Sequence, residues 1–306
     1  MDAITAFISD SQIRSAKTKR PTKRRTIGGT VPSSDMALNG FSRCLRAARL
    51  GAALLIALAP RTATAEPSRS VRLCYEDRQN KPLSQLVLSD TRIILLEMVR
   101  PRLELRFDYV VLPWQRCLED MQDGKVDGAI GASFLPTRLE MGVYPQVGVG
   151  KLDPSRYLVM NSYHLYVLKG SDLRWDGTRF ANLNGPIATT IGYSVIDQLK
   201  AAGAIIELTG SSADRTLALF QRLAEERVQA VVMVTKVGDA LLRNHPDLAE
   251  RVEKYPVPLV EKRSYLMLSH QFVDADPMLA DRIWSTIALV RDSVDYQAAI
   301  QELESE

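Results

Sequence analysis

Apolar residues from position 71 onward alternate between the spacing of strands and the spacing of helices. Residues 71–75 predict a strand, and apolar side chains three and four positions apart predict a helix from about 88 to 100, ending before Pro101. Every second residue from 103 to 111 is apolar, which predicts a second strand. The folded part of the chain is therefore expected to begin with a strand, a helix and a strand.

The next segment extends this pattern by one helix and one strand. Pro113 suits the first turn of a helix that runs to Gln122, and Gly124 can end that helix in the left-handed conformation. Residues 126–131 then predict a third strand. This alternating order is typical of a parallel sheet covered by helices.

A second set of the same elements is predicted further along the chain, without a repeat in the sequence. In chain order, strand, helix, strand, helix and strand are predicted at 186–191, 194–202, 205–208, 213–226 and 230–234.

Two segments are expected to connect these sets. Residues 145–173 are punctuated by Gly and Pro and contain an extended run at 163–168, which predicts a crossing. A strand at 264–269 and a helix from about 277 to 292 are expected to return to the first set. We therefore predict an α/β fold of two lobes around a ligand cleft, joined by two crossing strands. The expected boundaries are 66–166 plus 263–306 for lobe 1 and 167–262 for lobe 2.

Charge is distributed unevenly along the 306 residues. The formal charge is +3, but 11 basic and only 3 acidic residues precede Glu66, which leaves 28 basic and 33 acidic residues, or −5, for the rest. Nucleic-acid binding needs clustered Lys and Arg, so no nucleic-acid partner is expected. The composition, 46% hydrophobic and 25% charged, is that of a folded globular protein.

The basic beginning of the chain, residues 1–65, has the features of a leader that ends in a signal peptide. Three arginines between 43 and 49 precede an apolar stretch at 50–59 and the small residues Ala63-Thr64-Ala65. Ten apolar residues are too few to span a bilayer, which needs roughly 20. We predict cleavage after Ala65 and a soluble periplasmic protein, with residues 1–35 explained by a start codon assigned too early.

Removal of the leader would leave two cysteines, Cys74 and Cys117, in a compartment where disulfides persist. The pair can form one bridge or remain two buried thiols, because the Cα spacing decides whether a bond can close. We expect the bridge.

Patterns typical of metal sites and catalysis are absent from the sequence. His164, His245 and His270 lie in unrelated segments without the spacing of metal ligands, and there is no Gly-x-Ser-x-Gly motif. Residues 148–152 lack the Ser or Thr and the glycine spacing of a phosphate-binding loop. We expect neither a metal nor a cofactor, and a protein that is not an enzyme.

The stretch from 112 to 138 carries the most specific pattern. Pro-Trp at 113–114, Gly-Lys-Val-Asp at 124–127 and Leu-Pro-Thr-Arg at 135–138 follow one another in an order that resembles the extracellular solute-binding proteins of family 3, the polar amino-acid binders of ABC importers. The similarity runs from about residue 71 to 292. The segments CYED, PWQRC, VYP, GYSVID and LMLSHQF are similar to a branch described as transporter substrate-binding domain proteins. The resemblance implies a periplasmic binding protein type II-like fold that closes on its ligand by hinge bending.

The resemblance also implies ligand-binding residues in the first lobe. Arg138 matches the arginine that binds the α-carboxylate of the ligand, for which a bidentate guanidinium is suited. Ser133 and the backbone of Gly131 match two further contact points, and Trp114 matches a residue that lines the pocket. An exposed arginine and a core tryptophan are the alternatives.

In the second lobe, Gly192, Tyr193 and Ser194 resemble a turn that meets the carboxylate from the other side. Ser194 is also a good helix N-cap. Glu76 matches a position that selects the ligand side chain, and a solvated loop charge is its alternative.

One departure from the family pattern changes the expected ligand. Val234 occupies the place of an aspartate that pairs with the α-ammonium group, and a valine cannot offset that charge. Asp239 lies five residues further on, but the spacing does not show that it substitutes. The crossing is longer than usual, and Tyr157 or His164 could cap the cleft.

Together these features predict a monomeric periplasmic protein that captures a small carboxylate-bearing molecule, an amino acid or a derivative, for the permease of an ABC importer. The alternatives are a ligand sensor or partner-binding module of the same fold and, with less support, a dehydratase-like enzyme.

Overall fold

The computed structural model describes residues 69–76 and 89–305, with side chains as far as residue 303. The leader, the signal peptide and the cleavage site that the sequence predicts lie outside these residues. Among the described residues, no helix combines the length and apolar character that crossing a bilayer requires.

The first part of the fold is a three-stranded parallel unit in which β1 lies between β2 and β3. The first residues of β1 are alternately exposed and buried, and its last three are all buried, so it packs as a central strand. In chain order the elements are β1 (Ser70–Tyr75), α1 (Thr91–Leu103), β2 (Arg106–Val111), α2 (Trp114–Gln122), β3 (Gly128–Ser133) and a 3₁₀ turn (Pro136–Glu140).

A second parallel unit, in the order β9-β7-β8, follows the long strand β4. Its elements are β4 (Val159–Leu168), the hairpin β5 (Arg174–Trp175) and β6 (Phe180–Ala181), β7 (Ile187–Thr190), α3 (Ile196–Ala201), β8 (Ile206–Thr209), α4 (Ala213–Ala224), β9 (Ala230–Val234), α5 (Thr235–Asn244), α6 (Pro246–Arg251) and β10 (Val252–Lys254).

Two antiparallel strands join the parallel units into one sheet. Strand β11 (Val260–Leu268) pairs with β3 and with the first part of β4, and the rest of β4 pairs with β9 and β10. The order is β2-β1-β3-β11-β4-β9-β7-β8, and the chain ends with α7 (His270–Ala275), α8 (Pro277–Arg291) and α9 (Val294–Ser305). Helix α8 packs against α1, so the chain returns to the unit that β1 begins. The exact lobe boundaries remain a prediction.

Helix α1 continues past Pro101, where the sequence predicts that it stops. The helix ends at Leu103, and Glu104 adopts the left-handed conformation that closes it. Burial of Leu103 and a hydrogen bond from Leu105 N to Arg100 O hold this last turn although a proline removes one donor. Strand β2 consequently begins at residue 106, later than the alternation predicts.

A disulfide joins Cys74 of β1 to Cys117 of α2, with a Cα–Cα distance of 5.6 Å. Both cysteines are fully buried in the cluster of apolar side chains between the helix and the sheet. The bridge fixes the end of β1 to the first turns of α2, where two of the predicted site residues, Glu76 and Trp114, are found.

Candidate ligand-binding site

Two adjoining cavities lie where the parallel units face each other. The smaller cavity, about 20 Å³, is lined by seven of the eight predicted ligand-binding residues. The larger, about 310 Å³, is lined mainly by β4, the start of α1 and the start of α5. Both are bordered by Glu76, Arg92 and Asn161. The seven residues brought together are Glu76, Trp114, Gly131, Ser133, Arg138, Tyr193 and Ser194.

Arg138 is buried at the smaller cavity, with 5% of its surface exposed. Its Nη1 donates to Ser133 O and its Nη2 donates across to Gly192 O, both at 2.6 Å. The guanidinium carbon lies 5.5 Å from the ring centroid of Trp114. No carboxylate within the described residues forms an ion pair with it. The side chain is therefore a buried cation rather than the exposed arginine that the sequence left open.

Trp114 connects the two parallel units. Its indole Nε1 donates to Gly192 O at 3.3 Å, and its backbone N donates to Ser211 Oγ at 2.9 Å. Gly192 has φ +81, and a Cβ there would lie 3.1 Å from Trp114 Cδ1. Gly192 thus contributes to the site through its carbonyl and through the close approach that only a glycine permits.

Replacing Gly192 with alanine should lower the free energy of unfolding by about 1 kcal/mol more than Gly203→Ala, because overpacking adds to the strain of a positive φ. Gly203 is the matched control, since it has φ +86 but nothing within 4 Å of a Cβ. Urea unfolding of both variants measures the difference. Equal losses would show that Trp114 moves away without cost.

Two residues of β3 shape the floor of the smaller cavity. Gly131 has φ +90, and a Cβ there would lie 2.8 Å from Arg92 Nη1, so glycine makes room for that side chain. Ser133 O accepts from Arg138 and also, at 2.8 Å, from the hydroxyl of Tyr144. Burial raises the pKa of Tyr144 to about 12, so its phenol stays protonated and donates.

The turn before α3 differs from the prediction. The helix begins at Ile196 with Val195 as its N-cap, so Ser194 is not the capping residue. Hydrogen bonds from Tyr193 N to Thr190 O and from Ile196 N to Tyr193 O form a turn that delays the helix. Ser194 is 3% exposed, and its hydroxyl has no hydrogen-bond partner in the described part of the chain. Ser194 is one of the residues that line the smaller cavity.

Lys262 contacts the turn at Ser194, and the sequence analysis did not single it out. Its Nζ donates to Ser194 O at 2.6 Å. Burial, together with the positive charge of Arg138, lowers the pKa of Lys262. The expected strand at 264–269 begins four residues too late, whereas β11 starts at Val260 and places Lys262 opposite Asn161 of β4. A predicted strand that began before Lys262 would have placed this residue beside β4.

Arg92, which lines both cavities, was also missed. It lies in the first turn of α1 and binds Asp90 with two hydrogen bonds, of 2.9 Å from Nε and 2.5 Å from Nη2. Glu76 is 3% exposed and borders both cavities, so it is a buried carboxyl group and not a solvated loop charge.

Val234 is buried and lines the larger cavity at the start of α5. Asp239 does not replace an acid there, because it accepts from the hydroxyl of Tyr166 at 2.8 Å and from Lys254 at 2.6 Å and lines neither cavity. The aspartate that is missing at 234 therefore has no substitute at Asp239.

Neither residue proposed to cap the cleft lines a cavity. The Arg291 guanidinium lies 3.8 Å from the ring centroid of Tyr157, and His164 Nδ1 lies 2.6 Å from Thr235 Oγ1. Burial, aided by the charge of Lys254, lowers the pKa of His164. Across the described residues, no three His, Cys, Asp or Glu side chains are grouped as metal ligands would be.

Comparison with known proteins identifies the fold. No family model matches the chain, and no curated protein is similar to it in sequence. Among solved structures, an ancestral arginine-binding protein bound to glutamine is similar with a TM-score of 0.59 and 17% identity, over 79% of this chain and 100% of that one.

Two further solved structures have the same fold. The substrate-binding protein of an amino acid ABC transporter matches with a TM-score of 0.57 and 15% identity, over 78% of this chain and 100% of that one. A histidine kinase sensor domain with similarity to periplasmic binding proteins matches with a TM-score of 0.57 and 14% identity, over 77% and 96%. The predicted periplasmic binding protein type II-like fold is confirmed, and with it the resemblance at the level of the fold.

Proposed function

We propose that this chain, which has the fold of amino-acid-binding proteins, captures a small carboxylate-bearing molecule in the periplasm. The observation that supports the proposal most strongly is Arg138, a buried guanidinium beside a cavity with no acidic partner among the described residues. Removing a cation from water costs several kcal/mol unless an anion accompanies it. A ligand carboxylate would supply that anion.

The groups around Arg138 suit a carboxylate. Arginine has five N–H donors and only two backbone acceptors are assigned to this one, Ser133 O and Gly192 O. The hydroxyl of Ser194 adds a further donor. The adjoining cavity of about 310 Å³ lies at the lower end of the range of about 300–1,000 Å³ typical of ligand sites, which favours a molecule the size of an amino acid.

The contacts between the parallel units support a mechanism in which hinge closure captures the ligand. Arg138 and Trp114 belong to the β1–β3 unit, and both donate to Gly192 O on the other side. A ligand that binds both sides would favour the closed state, because it gains contacts there that the open state lacks. The two crossing strands, β4 and β11, are the segments that would bend.

Delivery to the permease of an ABC importer is the role we propose, supported by the likeness to the substrate-binding protein of an amino acid transporter. A sensor is the second candidate, supported by the likeness to the kinase sensor domain. Catalysis has weaker support, since these neighbours bind or sense. Co-purification of a permease with the tagged protein would favour transport, and co-purification of a kinase would favour sensing.

A thermal-shift screen tests the ligand class. The purified, ligand-free protein is screened against amino acids, their N-blocked derivatives, dicarboxylates and opines, and each hit is compared with its carboxamide. A ligand at 100 times its dissociation constant should add about 2.7 kcal/mol to the stability of the protein. We expect carboxylates to stabilise it and their amides to have little effect. Equal stabilisation by the amides, or hits confined to molecules without a carboxylate, would contradict the proposal.

A further inference from the structure

Two cations meet the same turn from different strands. Arg138 donates to Gly192 O, and Lys262 donates to Ser194 O, each at 2.6 Å. The hydroxyl of Ser194 lies in this turn, buried and without a hydrogen-bond partner among the described residues. Arg138 and Ser194 line the smaller cavity, and the ammonium of Lys262 reaches the backbone of this turn at Ser194.

Lys262 resembles Arg138 in lacking a neutralising partner. Within the part of the chain that the structure describes, its one hydrogen bond is to Ser194 O, and no carboxylate forms an ion pair with it. The carboxylate of Asp197 attracts Lys262 without forming an ion pair with it, and the positive charge of Arg138 repels the ammonium of Lys262. Two like charges brought together in a half-buried site repel each other, and the attraction of both to an anion between them would offset that cost.

The charged residues around the two cavities also favour an anionic ligand. Arg92, Lys236, Arg138 and Lys262 line or adjoin the cavities, against two acids, Glu76 and Asp90. Asp90 is already bound by Arg92 through two hydrogen bonds. Counted over the described residues alone, these are four bases against two acids. Val234 precedes α5 and lines the larger cavity, and this residue adds no negative charge there.

We propose that Lys262 is a second carboxylate-binding residue, which acts with Arg138 and the Ser194 hydroxyl, and that the site thereby selects ligands of net negative charge. This inference rests on the proposed function and adds the ligand class. Acidic amino acids and carboxylates without an ammonium group meet the requirement. A neutral zwitterion of the same shape leaves the positive charge unbalanced.

Matched pairs of ligands test this selection. Calorimetry compares glutamate with glutamine, aspartate with asparagine, and 2-oxoisocaproate with leucine. The wild-type protein should bind the negatively charged member of a pair more tightly. In Lys262→Met that preference should shrink about 10-fold or more, because a charge-assisted hydrogen bond is lost. Lys262→Arg should retain most of the preference.

The exposed Lys169 provides a matched control, since Lys169→Met removes a charge outside the cavities and should leave the preference unchanged. Binding of carboxylates that depends on Arg138 but shows the same preference in wild type and Lys262→Met would overturn the inference and leave the proposed function standing. A wild type that prefers the zwitterion would do the same. Failure to bind any carboxylate, in these pairs or in the wider screen, would overturn both.

Discussion

Arg138→Met should bind carboxylate ligands about 100-fold less tightly than the wild type, or more weakly still. Truncating one partner of a buried, hydrogen-bonded charge pair costs about 2–5 kcal/mol, and 1.4 kcal/mol is a factor of ten in affinity. Methionine retains the apolar stem that packs beside Trp114 but removes every donor. Isothermal titration of the strongest carboxylate hit with both proteins measures the loss.

Stability has to be measured in parallel, because the arginine also supports the fold. Its removal leaves Gly192 O without one donor, whereas Ser133 O keeps the hydroxyl of Tyr144. The expected cost is about 1–3 kcal/mol of unfolding free energy. Arg282→Met, which removes an exposed arginine on α8, is the control and should change neither quantity. Unchanged affinity in a folded Arg138→Met protein would refute the role of Arg138.

Loss of the disulfide is expected to be the largest effect on stability. Cys74 and Cys117 are 43 residues apart, and closing a loop of that length in the unfolded chain corresponds to about 4 kcal/mol in the chain-entropy description. The double variant Cys74→Ala/Cys117→Ala should therefore lose about 2–5 kcal/mol of unfolding free energy. Urea unfolding of the wild type and the variant, each with and without dithiothreitol, provides the measurement.

Reduction supplies the internal control for this experiment. Dithiothreitol should destabilise the wild type and have no effect on the double variant. Because the bridge fixes the strand end before Glu76 to the helix that starts at Trp114, ligand affinity should fall together with stability. A loss below about 1 kcal/mol would show that packing around the two buried side chains holds this region without the bond.

The alternation of strands and helices predicted the two sets of α/β elements, and the family resemblance supplied the periplasmic binding protein type II-like fold. Residues 230–234 are apolar throughout, bounded by polar residues, and β9 has those bounds. A short run that is apolar throughout is typical of a strand buried on both faces of a parallel sheet. Pro101 shows the limit of local rules. A proline predicts a helix end, but a buried leucine two residues later outweighs the one lost hydrogen bond.

The candidate site was predictable only where a motif carried it. Seven residues taken from the family resemblance line one cavity, although they come from five separate segments of chain. Lys262 belongs to no motif and reaches the site because β11 crosses beside β4. The Ser194 hydroxyl, which has no partner among the residues that the structure describes, owes its position to where α3 begins, and turn hydrogen bonds that the sequence does not reveal fix that start.

The position of β11 in the sheet also affects how the protein is made. β11 fills the gap between β3 and β4, yet it follows every other strand of the described residues in the sequence. A nascent chain that stops before residue 260 has the strands of the β9 unit but leaves one edge of β3 and part of β4 unpaired. Unpaired edges recruit strands from other chains. Strand β11 therefore protects these edges against aggregation, and a chain cut before residue 260 would lose solubility together with Lys262.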